Sequence, residues 1–101
     1  MSSLSKVTIK QGQKKYEWSQ TDTTILIYLP LKNILLKNID IFYSDLLLKI
    51  NASTIKYFAA IDFMHEIDHK NVKNRVQKLD DRLEVMLVKK QEGVSWSHLE
   101  I

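Results

Sequence analysis

The stretch 24–31, TILIYLPL, places Ile25, Ile27, Leu29 and Leu31 on one side of the backbone and Leu26, Tyr28 and Pro30 on the other. A period of two in β-branched and aromatic residues is the mark of a strand with one buried face, and a proline is tolerated there only near an end or an edge. The same period recurs. Ile39, Ile41 and Tyr43 alternate with Asp40 and Phe42; after the turn residues Ser44 and Asp45, Leu46, Leu48 and Ile50 share a face. Tyr57, Ala59, Ile61 and Phe63 form another set, and Leu83, Val85 and Leu87 lie opposite Glu84, Met86 and Val88 until Lys89 and Lys90 close the run. A weaker alternation sets Val72, Asn74 and Val76 against Lys73, Arg75 and Gln77, the solvated face of a half-buried strand whose lysine also discourages edge pairing.

A single long helix over 63–90 competes for the same residues, because Phe63, Ile67, Val76, Leu79, Leu83 and Met86 are partly at helical spacing. Against it, the apolar stripe breaks between Ile67 and Val76, Asn71 and Asn74 are poor helix formers, and Val72 and Val76 are β-branched. The expected architecture is all-β: about seven short strands in an antiparallel sandwich or barrel.

Length and composition set the frame for that sandwich. At 101 residues the chain holds one domain, and 45% hydrophobic with 27% charged residues is enough to form a core. With no cysteine, disulfides, thiolate metal sites and cysteine nucleophiles are excluded. The balance of 15 Lys+Arg against 12 Asp+Glu asks for no nucleic acid, the apolar runs are too short for a membrane span, and the start lacks a secretory signal. The reading is a cytoplasmic monomer without a cofactor. Lys6, Lys10, Lys14 and Lys15, among glycine and glutamine, read as a flexible basic arm over 1–14 ahead of a domain at 15–101.

The segment 65–69, HEIDH, fits the zinc-hydrolase pattern H-E-x-x-H, in which a helix sets His65 and His69 on one face and the glutamate serves as general base. Between two expected strands it falls on a strand end and a loop, where the imidazoles need not share a face. No pattern supplies a third ligand, although Glu84 and Glu92 can be nominated. Gly12 and Gly93 stand too far apart for a phosphate loop, and no serine sits in a nucleophile elbow.

A set of anchors accompanies the strands: Tyr16-Glu17-Trp18-Ser19-Gln20-Thr21 before the first clear alternation, YLPLK after it, and LVKK followed by Trp96-Ser97-His98-Leu99 at the end. In this order they resemble a CS domain, the sandwich shared by co-chaperones of heat-shock protein 90 and related to that of small heat-shock proteins. The resemblance runs from about Tyr16 to Ile101 and looks closest to the CS domains of factors that preassemble axonemal dynein arms. It implies a seven-stranded antiparallel sandwich acting as a non-catalytic interaction module, with heat-shock protein 90, other chaperones or dynein preassembly factors as partners. In that branch of the family, tetratricopeptide repeats follow the domain. Tyr16, Trp18, Trp96 and Leu99 are the expected structural anchors. By the same resemblance Glu17 and Arg82 match charges that contact the chaperone, while two aromatic contact positions fall on Ser19 and Pro30; a charged rim without an aromatic centre binds weakly. Tyr28, Phe42 and Phe58, on the minority faces of their strands, are candidates for a partner patch. A small-heat-shock-like holdase and the zinc hydrolase are the alternatives.

Overall fold

A computed structural model describes residues 4–8 and 15–101. Its strands are β1 (Leu4–Thr8), β2 (Lys15–Gln20), β3 (Thr24–Leu29), β4 (Asp40–Ser44), β5 (Leu47–Ala52), β6 (Tyr57–Asp62), β7 (Arg75–Lys78) and β8 (Leu83–Val88). They form two antiparallel sheets, one in the order β1-β2-β3-β8-β7 and one in the order β4-β5-β6. The seven expected strands correspond to β2 through β8, so the all-β sandwich stands and no helix runs through 63–90.

Alternation decides what the sheets enclose. In β3, β6 and β8 every second residue is buried, and Ile25, Ile27, Leu29, Ile61, Leu83, Val85 and Leu87 are fully inaccessible. β5 contributes Leu48 and Ile50 from the facing sheet, and Trp18 and Tyr16 fill the β2 end. One apolar layer between two sheets is the usual solution for strands with one greasy face.

Three local readings change. Leu4–Thr8, inside the segment expected as an arm, pairs antiparallel with β2 as an additional edge strand; the rest of the arm lies outside the described residues. Its hydrogen bonds occupy the side of β2 that would otherwise be an open edge. Leu46 sits in the β4–β5 turn and is exposed, so the inward set of β5 begins at Leu48. Val72 is almost wholly exposed, because the chain turns at Asn71 before it can enter β7. Asn71 N and Nδ2 both donate to Asp68, the Asn71 side chain accepts from Lys73 N, and Asn74 Nδ2 reaches Asp68 O at 2.8 Å. Side-chain amides that satisfy nearby backbone in this way stabilise turns at the expense of strands.

Candidate interaction surface

Cross-strand register assembles the outer face of the larger sheet. Glu17 on β2 stands opposite Tyr28 on β3, and Tyr28 opposite Glu84 on β8, so two carboxylates flank one phenol ring in a single row. Arg82, one residue before β8, places its guanidinium 5.2 Å from the Tyr28 ring centre and donates from Nε to Glu84 Oε2 at 3.0 Å. The cation thus rests on an aromatic face and is held by a carboxylate two residues along the same strand direction. Both ends of that ion pair retain solvent access, so it orients Arg82 far more than it stabilises the fold. A neighbouring row runs Ser19, Leu26, Met86 and Arg75 across β2, β3, β8 and β7. Its half-buried Leu26 and Met86 form an apolar strip beside the charged one.

Among the residues singled out from sequence, Glu17, Tyr28 and Arg82 come together here. Pro30 and Lys32 border the same hollow. Phe42 does not join them: it lies on the outer face of the other sheet, in the row Phe42, Lys49 and Ala60, with Phe58 in the adjacent row. Both rings are more than half exposed, at 56% and 55%. Leu26 and Met86, which complete the larger face, were not among the sequence candidates, and Glu84 was nominated only as a metal ligand, although the alternation of β3 and β8 already sets all three outward.

The anchors Tyr16, Trp18, Trp96 and Leu99 are all buried, and a polar clasp holds the tail that carries the last two. The Gln20 amide meets the Trp96 backbone in both directions, with Nε2 donating to Trp96 O at 2.7 Å and Trp96 N donating to Oε1 at 2.8 Å. Lys89 Nζ donates to the same Oε1 at 2.9 Å and to Val94 O at 2.8 Å. Burial pushes the Lys89 ammonium below its ordinary range, opposed by nearby Asp22. At the other end of the tail, the Tyr16 hydroxyl donates to Glu100 at 2.9 Å. Burial first, and then that carboxylate, hold the Tyr16 phenol well above its usual range.

HEIDH is not helical. Ile67 is buried and bridges to Lys89, Asp68 N donates to Val88 O, and Lys90 N donates to Glu66 O, so the segment runs alongside the end of β8. Four residues of such backbone span up to roughly 13 Å, whereas a helix would stack the two rings. His65 instead tilts against Trp96, with ring centres 5.5 Å apart. Among the described residues, no group of three or more His, Asp or Glu side chains is placed to hold a metal ion.

A sequence model of the CS domain matches residues 14–89. No curated protein sequence matches the chain. Among solved structures, the nuclear movement protein from E. cuniculi GB-M1 is 20% identical and superposes with a TM-score of 0.69 over 85% of this chain and 98% of its own. The CS-b5R domains of human Ncb5or in the NAD+ form are 21% identical, with a TM-score of 0.68 over 88% of this chain and 26% of that longer one. Heat shock protein 16.0 from Schizosaccharomyces pombe, 13% identical, gives 0.67 over 88% and 97%. At these identities the superpositions speak for the sandwich itself, and the sequence match over about three quarters of the residues speaks for the lineage: the chain belongs to the CS domain family.

Proposed function

We propose that this chain is the interaction module of a co-chaperone, docking heat-shock protein 90 through the outer face of its larger sheet with Glu17, Tyr28 and Arg82 at the contact. The observation that carries the reading is the meeting of those three residues, from β2, β3 and the start of β8, on one outward surface. CS domains as a family are non-catalytic interaction domains that engage chaperones, which supports the same reading. The combination YEWSQT, YLPLK and LVKK with W-x-x-L resembles the N-terminal CS domain of dynein axonemal assembly factor 4. We therefore place the module in cytoplasmic preassembly of axonemal dynein arms, with other preassembly factors as further partners.

Ser19 and Pro30 leave this face without the fully desolvated aromatic anchors that usually dominate an interface. Binding then rests on the Leu26 and Met86 strip and a charged rim, which gives a Kd of order micromolar and a marked salt dependence. The test is titration of the isotope-labelled chain with the N-terminal domain of the chaperone and, separately, with dynein preassembly factors. Shifts at Glu17, Tyr28 and Glu84, lost in Arg82→Glu, are expected. An unperturbed spectrum with every partner sinks the proposal.

The sandwich shared with heat shock protein 16.0, together with exposed Phe42 and Phe58 on the smaller sheet, favours a holdase as the second reading. Suppression of client aggregation without chaperone or nucleotide separates it from the first.

A further inference from the structure

Among the described residues, the β6 and β7 edges are guarded against a second copy of themselves. At β6, the C-terminal tail pairs alongside: Glu100 bridges to Phe63, and Ile101 N donates to Asp62 O at 3.0 Å. Symmetric antiparallel pairing of β7 would set Arg75 opposite Lys78. Like charges directly opposite oppose pairing, which is a familiar protection of edge strands.

The β4 edge has no such guard. Among the described residues its single strand neighbour is β5, and the sequence from 38 to 44, NIDIFYS, carries no lysine or arginine. Ser44 and Leu47 close a two-residue turn, and in a hairpin of that kind the closing pair is hydrogen-bonded. Every second pair follows suit, Phe42 with Lys49 and Asp40 with Asn51. The backbone groups of Ile41 and Tyr43 therefore point away from β5, to the open side.

We propose that β4 is a self-recognition edge: two copies of this chain pair β4 antiparallel about Phe42, joining two three-stranded sheets into one of six strands. The pairing is self-complementary. Ile41 of each copy exchanges both backbone hydrogen bonds with Tyr43 of the other, giving four in all. Phe42 meets Phe42 at a non-hydrogen-bonded position, where side chains approach most closely and aromatic pairs are favourable. Asp40 of each copy faces Ser44 of the other, so no like charges meet along the paired strands. Half-buried Ile41 and Tyr43 pack further on the inner face, and exposed Leu35 and Leu36 extend the apolar border just ahead of the strand. A five-residue edge belongs to the small end of protein interfaces, so the pair is weak and forms at high local concentration. The expected monomer is then the form present at low concentration.

The test is sedimentation equilibrium of the 101-residue chain from about 20 μM to about 1 mM, with amide shifts followed on dilution. Concentration-dependent shifts confined to the region of Ile41, Phe42 and Tyr43 are expected. Phe42→Lys sets lysine against lysine and should weaken association by about tenfold. Phe58→Lys, on the same face but two strands away, should change it by less than about twofold. Both rings are more than half exposed, so both variants should keep a native spectrum. A single monomeric species throughout overturns the proposal. So do shifts mapping to β1 or β7, equal weakening by the two variants, or an edge that captures an extended β4 peptide but no second copy.

Discussion

The residue that holds the most structure together for its size is Gln20. It answers both backbone groups of Trp96 and accepts from Lys89, so Gln20→Ala strands a buried N–H and a buried C=O and leaves the Lys89 ammonium with Val94 O in place of two acceptors. Each orphaned group costs about 1–3 kcal/mol. We expect Gln20→Ala to lose roughly 3 kcal/mol in urea unfolding. Lys89→Met removes the buried charge with the group that bore it, leaves the Gln20 and Trp96 pair intact, and should lose less than half as much. Equal losses would show that the cation, and not the amide, organises the clasp. The phenols set a second expectation. Burial holds Tyr57 as well as Tyr16 above the ordinary range, so the folded chain keeps protons that the unfolded chain releases near pH 10. Their contribution is complete below about pH 10 and is lost as pH rises further, by up to about 1.4 kcal/mol per group per pH unit. Lys89 acts with the opposite sign, since its lowered value makes the unfolded chain the better proton binder just below its ordinary range. Denaturant midpoints from pH 9 to 11 should therefore fall more gently in Tyr16→Phe than in the parent. Parallel curves would remove Tyr16 from the account.

At the scale of elements, the turn before β7 separates residues that alternation alone treats alike. Val72 and Asn74 share a parity, yet one is in solvent while the other donates to Asp68 O and accepts from Val88 N at 2.8 Å. Val72→Asp should change stability by no more than about 0.5 kcal/mol, and Asn74→Ala should cost about 1–2 kcal/mol by calorimetry. The reverse order would return Val72 to the strand. This contrast also marks how far the sequence is legible. Periodicity finds β3 through β8 because each turns one face inward, leaves β2 to the resemblance, and, carried two residues further, puts Gln20 after Trp18 and Lys89 after Leu87 on the inner side, where the clasp forms. It does not find β1, whose pairing is set by an open neighbour edge, nor the turn at Asn71, which is decided by side-chain amides. The surface was half legible. Glu17 and Arg82 are recognisable by resemblance and Tyr28 by its place on the minority face of its strand, but that β2, β3 and β8 are neighbours, and that Phe42 faces the opposite way, depends on sheet order, which no local pattern encodes.

For the whole molecule, the boundary of the domain is a physical question before it is a matter of sequence similarity. The family match ends at residue 89, and the last strand ends at Val88, yet Trp96 and Leu99 lie in the same core as the strands. Trp96 packs edge-on against Phe63 with ring centres 5.9 Å apart, and the segment around it connects Gln20 in the larger sheet to Asp62 at the end of β6 in the smaller one. Removing a buried tryptophan costs about 3–5 kcal/mol and a buried leucine about 2–5. The lost clasp and the Tyr16 to Glu100 bond add to that, so the total is of the same order as the 5–15 kcal/mol that stabilises a domain of this size. A chain cut to 14–90 should therefore lack a cooperative thermal transition and bind hydrophobic dyes, whereas one comprising 14–101 should unfold in one step. If the shorter chain melts cooperatively within a few degrees of the longer, the tail is an ornament on the sandwich and the clasp has no structural role. If it does not, any binding experiment on this family member has to retain the tail, because the Glu17, Tyr28 and Arg82 surface rests on a sheet whose inner face the tail completes.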